Sequence, residues 1–264
     1  MEIKELKDGK AVFGNHGISI EERVQAHGRD EFCLENLVFV HNIWPMQIVC
    51  EGHSQFVPER SITKVHPNTR VFLESEKDSI FYFVTFHADE SAYLAELCKN
   101  PFLLTLKGEA KEEWEEVKDK NIDFVDPDER NSEHIITTNR GILIAPPHSR
   151  FESGVSYGWN VRYSRGSRVL GISSDILFSV RKEDEYHVHS LMSEFYFCIS
   201  GSMILTVNGE DYFLTPKKVL LASPGEPHAV TSIVDPPYRG ITMKLPSIPG
   251  DKTVLNVGKD KCIL

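Results

Sequence analysis

The chain has 264 residues, of which 41% are hydrophobic and 26% are charged, the proportions of an ordinary soluble globular protein. Its formal net charge of −10 disfavours a nucleic-acid partner, because phosphate binding requires a basic surface that displaces counterions. No apolar run approaches the roughly 20 residues that a helix needs to cross a bilayer. The charged N-terminus, MEIKELKDGK, does not look like a secretory signal. We therefore expect a cytoplasmic protein with neither a nucleic-acid nor a membrane partner.

The cysteines give no indication of a disulfide framework. They are odd in number, widely scattered and without a CxxC pair: Cys33, Cys50, Cys98, Cys198 and Cys262. This spacing favours a reducing compartment.

Strands dominate the predicted elements. Short runs rich in β-branched and aromatic residues alternate with turn residues. In chain order the clearest runs are 37–40, 80–86, 195–199 and 203–207. The pair Asn208-Gly209 follows the last run and predicts a tight hairpin to 211–214, since both positions tolerate positive φ.

Two stretches between these strand-rich parts have helical spacing instead. Residues 91–98, with Asp89 as a candidate cap, predict one short helix, and residues 110–118 predict another. The polar run 119–133 predicts a loop or linker. The chain thus divides into a β-rich N-terminal part, a partly helical connector and a β-rich C-terminal part.

The two β-rich parts look like copies of one unit. At an offset of 157 positions, Met46 falls on Met203, Gly52 on Gly209, Phe56 on Phe213 and Pro67 on Pro224. An internal duplication explains this common order of strand, turn, strand and proline loop. The alternative is that all-β proteins repeat strand and turn in any case.

Four potential metal ligands stand in the C-terminal part. His187 and His189 occupy alternate positions, which share one face of a strand. Glu194 opens the strand run 195–199, and His228 follows the loop SPGEP. Three imidazoles and one carboxylate suit Fe(II), Mn(II), Zn(II), Ni(II) or Co(II).

These residues resemble the metal-binding motifs of the cupin superfamily. The first cupin motif is HxH, three or four residues, Glu, six residues and Gly, and His187-x-His189-x4-Glu194-x6-Gly201 is similar to it throughout. The second is a Pro-x-Gly-x-x-His loop, which residues 223–228 match with proline shifted by one place. The leading glycine of motif one is replaced by Arg181, and the trailing asparagine of motif two by Ser232; neither position holds a ligand.

The resemblance implies an all-β fold of cupin double-stranded β-helix (jelly-roll) barrels, two of them, joined by the short helical connector. The expected domains are a degenerate cupin-like domain at 1–88, the connector at 89–133, a metal-binding cupin domain at 134–250 and a tail at 251–264. The metal ligands implied are His187, His189, Glu194 and His228. Satisfied barrel histidines without a metal are the alternative.

The N-terminal copy lacks this ligand set. At the same offset the four positions hold Asp30, Phe32, Leu37 and Val71, and a lone carboxylate does not retain a metal. We therefore expect the N-terminal copy to be structural and the C-terminal copy to carry the chemistry.

Strand parity suggests which residues surround the metal. Tyr196 and Cys198 should share the face of Glu194, and Tyr196 is a candidate catalytic acid or hydrogen-bond donor beside Glu194. A core aromatic and a buried small thiol are the structural alternatives. Other side chains expected near the metal or late in the barrel are Glu226, Val230, Arg239, Thr242 and Lys244.

Three functions fit such a site. The favoured one is an Fe(II) dioxygenase acting on a small organic acid, phenol or diketone, since a four-ligand metal leaves two positions open. The second is a non-redox isomerase or lyase acting on a sugar or sugar acid, with Mn(II), Zn(II), Ni(II) or Co(II). The third is a non-catalytic ligand-binding cupin. In each case the expected partner is a small molecule, bound by a monomer or homodimer.

Overall fold

The computed structural model describes residues 1–25, 27–50, 52–108, 110–112, 136–138, 142–145, 154–159, 170–180, 185–248 and 250–255. Most of the predicted second helix (110–118), the polar run 119–133 and Arg181 lie outside these ranges. Within the described residues, no helix is long and apolar enough to span a membrane.

The N-terminal part forms ten strands. They are β1 (Glu2–Glu5), β2 (Lys10–Phe13), β3 (Ile18–Gln25), β4 (Gly28–Cys33), β5 (Leu37–Asn42), β6 (Met46–Cys50), β7 (His53–Val57), β8 (Ile62–Val65), β9 (Arg70–Ser75) and β10 (Ser79–Phe86). Helix α1 follows at Glu90–Leu97, where the sequence predicts it, and the Asp89 carboxylate accepts the Ala92 amide as expected of its cap. Two 3-10 turns lie at Gly14–His16 and Pro101–Thr105.

The described residues of the C-terminal part form ten more strands. They are β11 (Ile136–Thr138), β12 (Ile142–Ala145), β13 (Gly154–Trp159), β14 (Gly171–Leu177), β15 (His187–His189), β16 (Ser193–Val207), β17 (Glu210–Leu214), β18 (Lys218–Ala222), β19 (His228–Leu245) and β20 (Lys252–Val254). The predicted hairpin at Asn208-Gly209 joins β16 to β17, with φ of 53° and 81° at its two central residues. The separate predicted runs 195–199 and 203–207 prove to be one strand, β16, with register shifts at its middle.

The strands form three antiparallel sheets. A seven-stranded sheet in the order β11-β12-β8-β5-β10-β3-β2 and a four-stranded sheet in the order β4-β9-β6-β7 make up the N-terminal domain. A nine-stranded sheet, built on the path β1-β18-β16-β19-β14-β13, makes up the C-terminal domain. Two connections cross between the domains, because β1 pairs with β18 and β12 pairs with β8. Strands β11 and β12, within the range expected for the metal-binding domain, thus complete the N-terminal sheet.

The central strand of each domain buries both of its faces. Along β10, Phe81 and Phe83 point into the N-terminal barrel, while Tyr82 and Val84 point into a core shared by the two domains. This arrangement explains the continuous apolar run at 80–84, since a strand buried on both faces loses the polar alternation of a surface strand.

Along β16 the same division holds, with Phe195 and Phe197 in the shared core and Tyr196 and Cys198 in the C-terminal barrel. Aromatic edges join the domains, with ring centroids 5.1 Å apart for both Phe13–Phe195 and Tyr82–Phe197. Such edge-to-face pairs add to the stabilisation from buried area.

The duplication is visible in the backbone. Hairpin β6–β7 pairs Met46 with Val57, and hairpin β16–β17 pairs Met203 with Leu214, which is the offset of 157 at both residues. Left-handed residues recur at the same offset. They are Gly52 and Gly209, Arg60 and Lys217, and Asn68 and Gly225. The two copies therefore share their turns as well as their strands.

Replacing Gly201 by alanine should destabilise the C-terminal domain strongly. Gly201 has φ of +72°, and an added Cβ would lie 2.5 Å and 2.6 Å from the main-chain oxygens of Asp235 and Pro237. We expect a loss above about 3 kcal/mol in the free energy of unfolding, measured by urea titration. Gly209→Ala is the matched control, since its φ is +81° but nothing lies within 4 Å, so it should lose only about 1–2 kcal/mol. Equal losses in the two variants would contradict the clash.

Candidate metal centre

Four buried side chains of the C-terminal domain meet at one point. The donor atoms of His187, His189, Glu194 and His228 all lie within 4.8 Å of one another. From Glu194 Oε2, the Nε2 atoms of His228, His189 and His187 are 2.8 Å, 3.3 Å and 3.6 Å away. The structure thus brings together all four residues that the cupin-like motifs single out.

Strand pairing produces this convergence. His187 and His189 lie on the same face of β15, and His187 pairs directly with His228 on β19. Glu194 lies second in β16, between Ala222 of β18 and Lys244 of β19. The ligands therefore come from three strands of one sheet, and their relative positions are fixed by the ladder hydrogen bonds between those strands.

Each imidazole is oriented by a main-chain carbonyl. The Nδ1 atoms of His187, His189 and His228 lie 2.7 Å, 3.1 Å and 2.8 Å from the carbonyl oxygens of residues 185, 251 and 226. A carbonyl only accepts hydrogen bonds, so each Nδ1 carries the ring proton and each Nε2 keeps its lone pair. Burial also lowers the pKa of His187, which favours the neutral ring.

The arrangement fits a divalent cation. Nε2 of His189 is buried and has no hydrogen-bond partner, and its lone pair faces a Glu194 oxygen. Lone pairs of three rings and a carboxylate thus point at each other, which is unfavourable until a cation lies between them. Three imidazoles and one carboxylate suit the divalent ions from Mn(II) to Zn(II).

Two further side chains hold the Glu194 carboxylate. Lys244 Nζ lies 3.0 Å from Oε1, and the Tyr196 hydroxyl donates to Oε2 at 2.9 Å. Burial alone would raise the pKa of Glu194, but the positive charge of Lys244 opposes this, and the pKa lies well below its ordinary value. Glu194 is therefore ionised at neutral pH, as a metal ligand must be.

Asp251 supports the centre from outside the motifs. Its carboxylate accepts the amides of Ser190, Leu191 and Met192, at 2.9 Å, 3.0 Å and 2.7 Å. The main-chain carbonyl of Asp251 accepts a hydrogen bond from His189 Nδ1. Strand β20 begins at the next residue and pairs with β15. The segment from residue 251 onward, expected from the sequence to be a tail, thus holds β15 and its two histidines in position. Sequence reasoning missed Asp251 because 62 residues separate it from His189 and no motif connects them.

A pocket of about 160 Å³ opens onto the centre, and we call it the metal pocket. Val230, Thr242 and Lys244, which strand parity places in the barrel, line it together with Tyr196. Two lining residues that the sequence did not indicate are Asp175 and Lys252. Asp175 Oδ2 accepts a hydrogen bond from Thr242 at 2.7 Å.

Three other candidates lie elsewhere. Glu226 turns away from the metal pocket, toward the amino group of Met1 and the amide of Ser223. Arg239 lines a different cavity, between the two domains. Cys198 is fully buried in the core of the C-terminal barrel, where burial raises the pKa of its thiol to about 12.

The N-terminal domain has apolar side chains at three of the four positions that correspond to ligands, and the fourth holds Asp30. Phe32 and Val71 belong to the core of the N-terminal barrel and Leu37 to the shared core, all at most 6% exposed. Among the residues that the structure describes, the four C-terminal side chains form the one His, Cys, Asp or Glu cluster able to hold a metal.

Loss of two ligands should abolish metal retention. We expect a His189→Ala/His228→Ala double variant to purify without stoichiometric metal, measured by elemental analysis, because two donors do not hold a divalent ion against water. His53→Ala is the control, since His53 is exposed on β7 and should leave the metal content unchanged. Metal retention in the double variant would show that the ion binds elsewhere.

Replacing Asp251 by alanine should weaken metal binding without removing a ligand. Three amides lose their acceptor and the segment carrying the His189 acceptor is loosened, so we expect a 10- to 100-fold lower metal affinity. Competition with a fluorescent chelator measures it. Asp235→Ala, at an exposed position of β19, is the matched control. Identical affinities for the two variants would exclude a supporting role for Asp251.

Comparisons with known proteins agree with this geometry. Residues 177–242 match the family described as Cupin domain. The oxalate decarboxylase of Lactobacillus farciminis, solved as a formate complex, has a TM-score of 0.57 and 12% identity over 90% of this chain and 79% of that one. The oxalate decarboxylase of Bacillus subtilis at pH 4.6 gives a TM-score of 0.54 and 15% identity over 91% and 70%.

A third similar structure, from a study of the Mn(II) centres of the Bacillus subtilis enzyme, gives a TM-score of 0.54 and 14% identity over 91% and 71%. No curated protein matches the chain significantly in sequence. The all-β fold of cupin barrels implied by the motifs is confirmed. The chain therefore carries a cupin domain within a bicupin-like fold, and its described residues bring one metal-binding cluster together, in the C-terminal half.

Proposed function

We propose that this protein is a divalent-metal-dependent cupin enzyme whose substrate is a small carboxylate, bound in the metal pocket and cleaved next to its acid group. The observation that carries the proposal is the pocket itself. It reaches two metal ligands, His187 and Glu194, and is lined by two lysines, Lys244 and Lys252.

The size of the metal pocket limits the substrate. An engineered protein cavity of about 150 Å³ accommodates benzene, which has six heavy atoms. At about 160 Å³ the metal pocket suits a molecule of similar size. A two- to four-carbon acid fits this limit, whereas a hexose has twice as many heavy atoms. The size therefore favours a small acid over the sugar substrate considered from the sequence.

The charge of the metal pocket favours an anion. The lysines Lys244 and Lys252 and the carboxylates Asp175 and Glu194 cancel in formal charge. A bound divalent ion then leaves the pocket positive, and positive charge in a cleft concentrates anionic substrates. Lys244, whose side chain is 40% exposed beside the buried Glu194, can contact both the ligand and an incoming carboxylate.

Tyr196 and Glu194 act together in this proposal. The Tyr196 hydroxyl donates to Glu194 Oε2, and this bond orients the carboxylate toward the three histidines. Tyr196 is then a positioning residue, and Glu194 is a metal ligand. Asp175 is held by Thr242 on the wall of the pocket, where it can accept or return a proton during the reaction. A bound divalent ion would supply Lewis-acid chemistry at the carboxylate, or redox chemistry if it is manganese or iron.

The relation to oxalate decarboxylases favours carbon–carbon cleavage over oxygen insertion. The iron preference expected from the sequence finds no support in these structures, one of which concerns Mn(II) centres. An Fe(II) dioxygenase stays the second candidate, because three imidazoles and one carboxylate also suit Fe(II). A purely ligand-binding cupin is the remaining alternative.

Reconstitution with Mn(II) or Fe(II) tests these functions directly. The metal-loaded protein is supplied with oxalate and with other acids of two to four carbons, and CO2 release and O2 consumption are followed. CO2 release without stoichiometric O2 consumption is expected. Fe(II)-dependent O2 consumption in proportion to product would favour the dioxygenase. Binding of acids without turnover, with either metal, would contradict an enzyme.

Replacing Lys244 by methionine should raise KM for the carboxylate substrate about tenfold, since one charge-assisted contact is worth about 1.4 kcal/mol. Steady-state kinetics at matched metal content measures this change. Lys10→Met is the control, because Lys10 pairs with Glu21 on β3, in the N-terminal domain. An unchanged KM would place substrate binding away from Lys244.

A further inference from the structure

A second cavity lies between the two domains. Its volume is about 450 Å³, within the range of small-molecule binding sites. Its walls come from β5 and β10 of the N-terminal domain and from β14, β16 and β19 of the C-terminal domain, and none of the four metal ligands lines it. We call it the interdomain cavity.

The walls of the interdomain cavity are largely apolar. Ile43, Trp44 and Ile80 line it on the N-terminal side, and Ile176 and Ile199 on the C-terminal side. Trp44 is 43% exposed, so part of its ring is available to a ligand. Such walls suit a hydrocarbon or aromatic body rather than a small polar acid.

Two guanidinium groups add hydrogen-bond donors to the cavity, one from each domain. Arg60 uses Nη2 on Glu59 at 2.8 Å, but its Nε is buried without a hydrogen-bond partner. Arg239 forms no ion pair with any residue that the structure describes. The carboxylates of the cavity, Glu59 and Asp175, accept from Arg60 and Thr242. Each domain thus presents one guanidinium group to the cavity, and a ligand that brings an anionic group would pair with both.

The position of Arg60 is fixed by buried hydrogen bonds. Its amide donates to the Asn42 carbonyl at 2.7 Å, and the Ser61 carbonyl accepts from His41 Nδ1 at 3.0 Å. Burial lowers the pKa of His41 to about 4, so this ring is neutral at pH 7. The same turn recurs at Lys217 in the C-terminal copy. The backbone turn is thus common to both copies of the fold, whereas an arginine at this position is found only in the N-terminal copy.

We propose that the interdomain cavity binds an amphipathic organic anion, with its acidic group held by Arg60 and Arg239 and its apolar body packed against Trp44 and the isoleucines. Guanidinium groups recognise carboxylates and sulfonates through paired hydrogen bonds. The site is distinct from the metal pocket in size and composition, although Asp175 forms part of both walls.

Calorimetric titration of the metal-loaded full chain with 2-naphthoate tests the proposal. We expect one molecule bound per chain, with 2-naphthamide, the neutral analogue, at least tenfold weaker. Arg60→Met and Arg239→Met should each weaken 2-naphthoate binding at least tenfold. Arg29→Met is the matched control, since Arg29 pairs with Glu74 on the N-terminal domain away from the cavity, and it should bind like the unmodified protein.

Thermal midpoint and metal content identify any variant that is misfolded, and Arg239→Met, at an exposed position of β19, is the variant expected to fold normally. Failure of 2-naphthoate to bind, or equal binding to the amide, would overturn the proposal. Unchanged affinity for 2-naphthoate in a folded Arg239→Met variant would also overturn it. Competitive displacement of 2-naphthoate by oxalate would do the same, because it would place 2-naphthoate in the metal pocket. Retention of binding after metal removal by chelation supports the separate site.

Discussion

A buried carboxylate governs the architecture of the C-terminal domain. Glu194 is 3% exposed, and an uncompensated charge at such depth would cost several kcal/mol. Lys244 and Tyr196 offset part of this cost, and a bound divalent cation would offset the rest. The three histidines can serve that cation only because main-chain carbonyls hold the proton on each Nδ1. β15 and β19 carry these histidines, and β20 pairs with β15, so the three strands hold the groups that surround the carboxylate.

The two domains show two solutions for the centre of one fold. In the N-terminal domain three of the four corresponding positions carry Phe32, Leu37 and Val71, which pack in apolar cores. Replacing buried charges by apolar side chains of fitting size is often neutral or stabilising. The N-terminal domain can thus contribute stability and one wall of the interdomain cavity, while the C-terminal domain retains the costly polar centre.

Local features could be predicted from the sequence. His187, His189 and Glu194 lie within eight residues of one another, and His228 follows a Pro-Gly loop of its own. The Asn208-Gly209 turn is a two-residue signal, and the Asp89 cap lies beside its helix. Features that depend on distant pairing could not. Asp251 acts on residues about 60 positions earlier, and Asp175 and Lys252 meet the site through sheet register. The register shifts of β16 at Ser200 could not be predicted either, because Gly201 is the one sequence feature that indicates them.

The pairing of β1 with β18 also bears on how the chain reaches its native state. Glu2 lies opposite Leu221, so β1 has no partner in its sheet until more than 200 further residues have been synthesised. Contacts of such high sequence separation form late, because the entropy of closing the intervening loop must be overcome first. During synthesis the N-terminal domain also lacks β11 and β12. The seven-stranded sheet can therefore be completed once β12 (Ile142–Ala145) has been made, whereas the nine-stranded sheet must wait for β18 and β19.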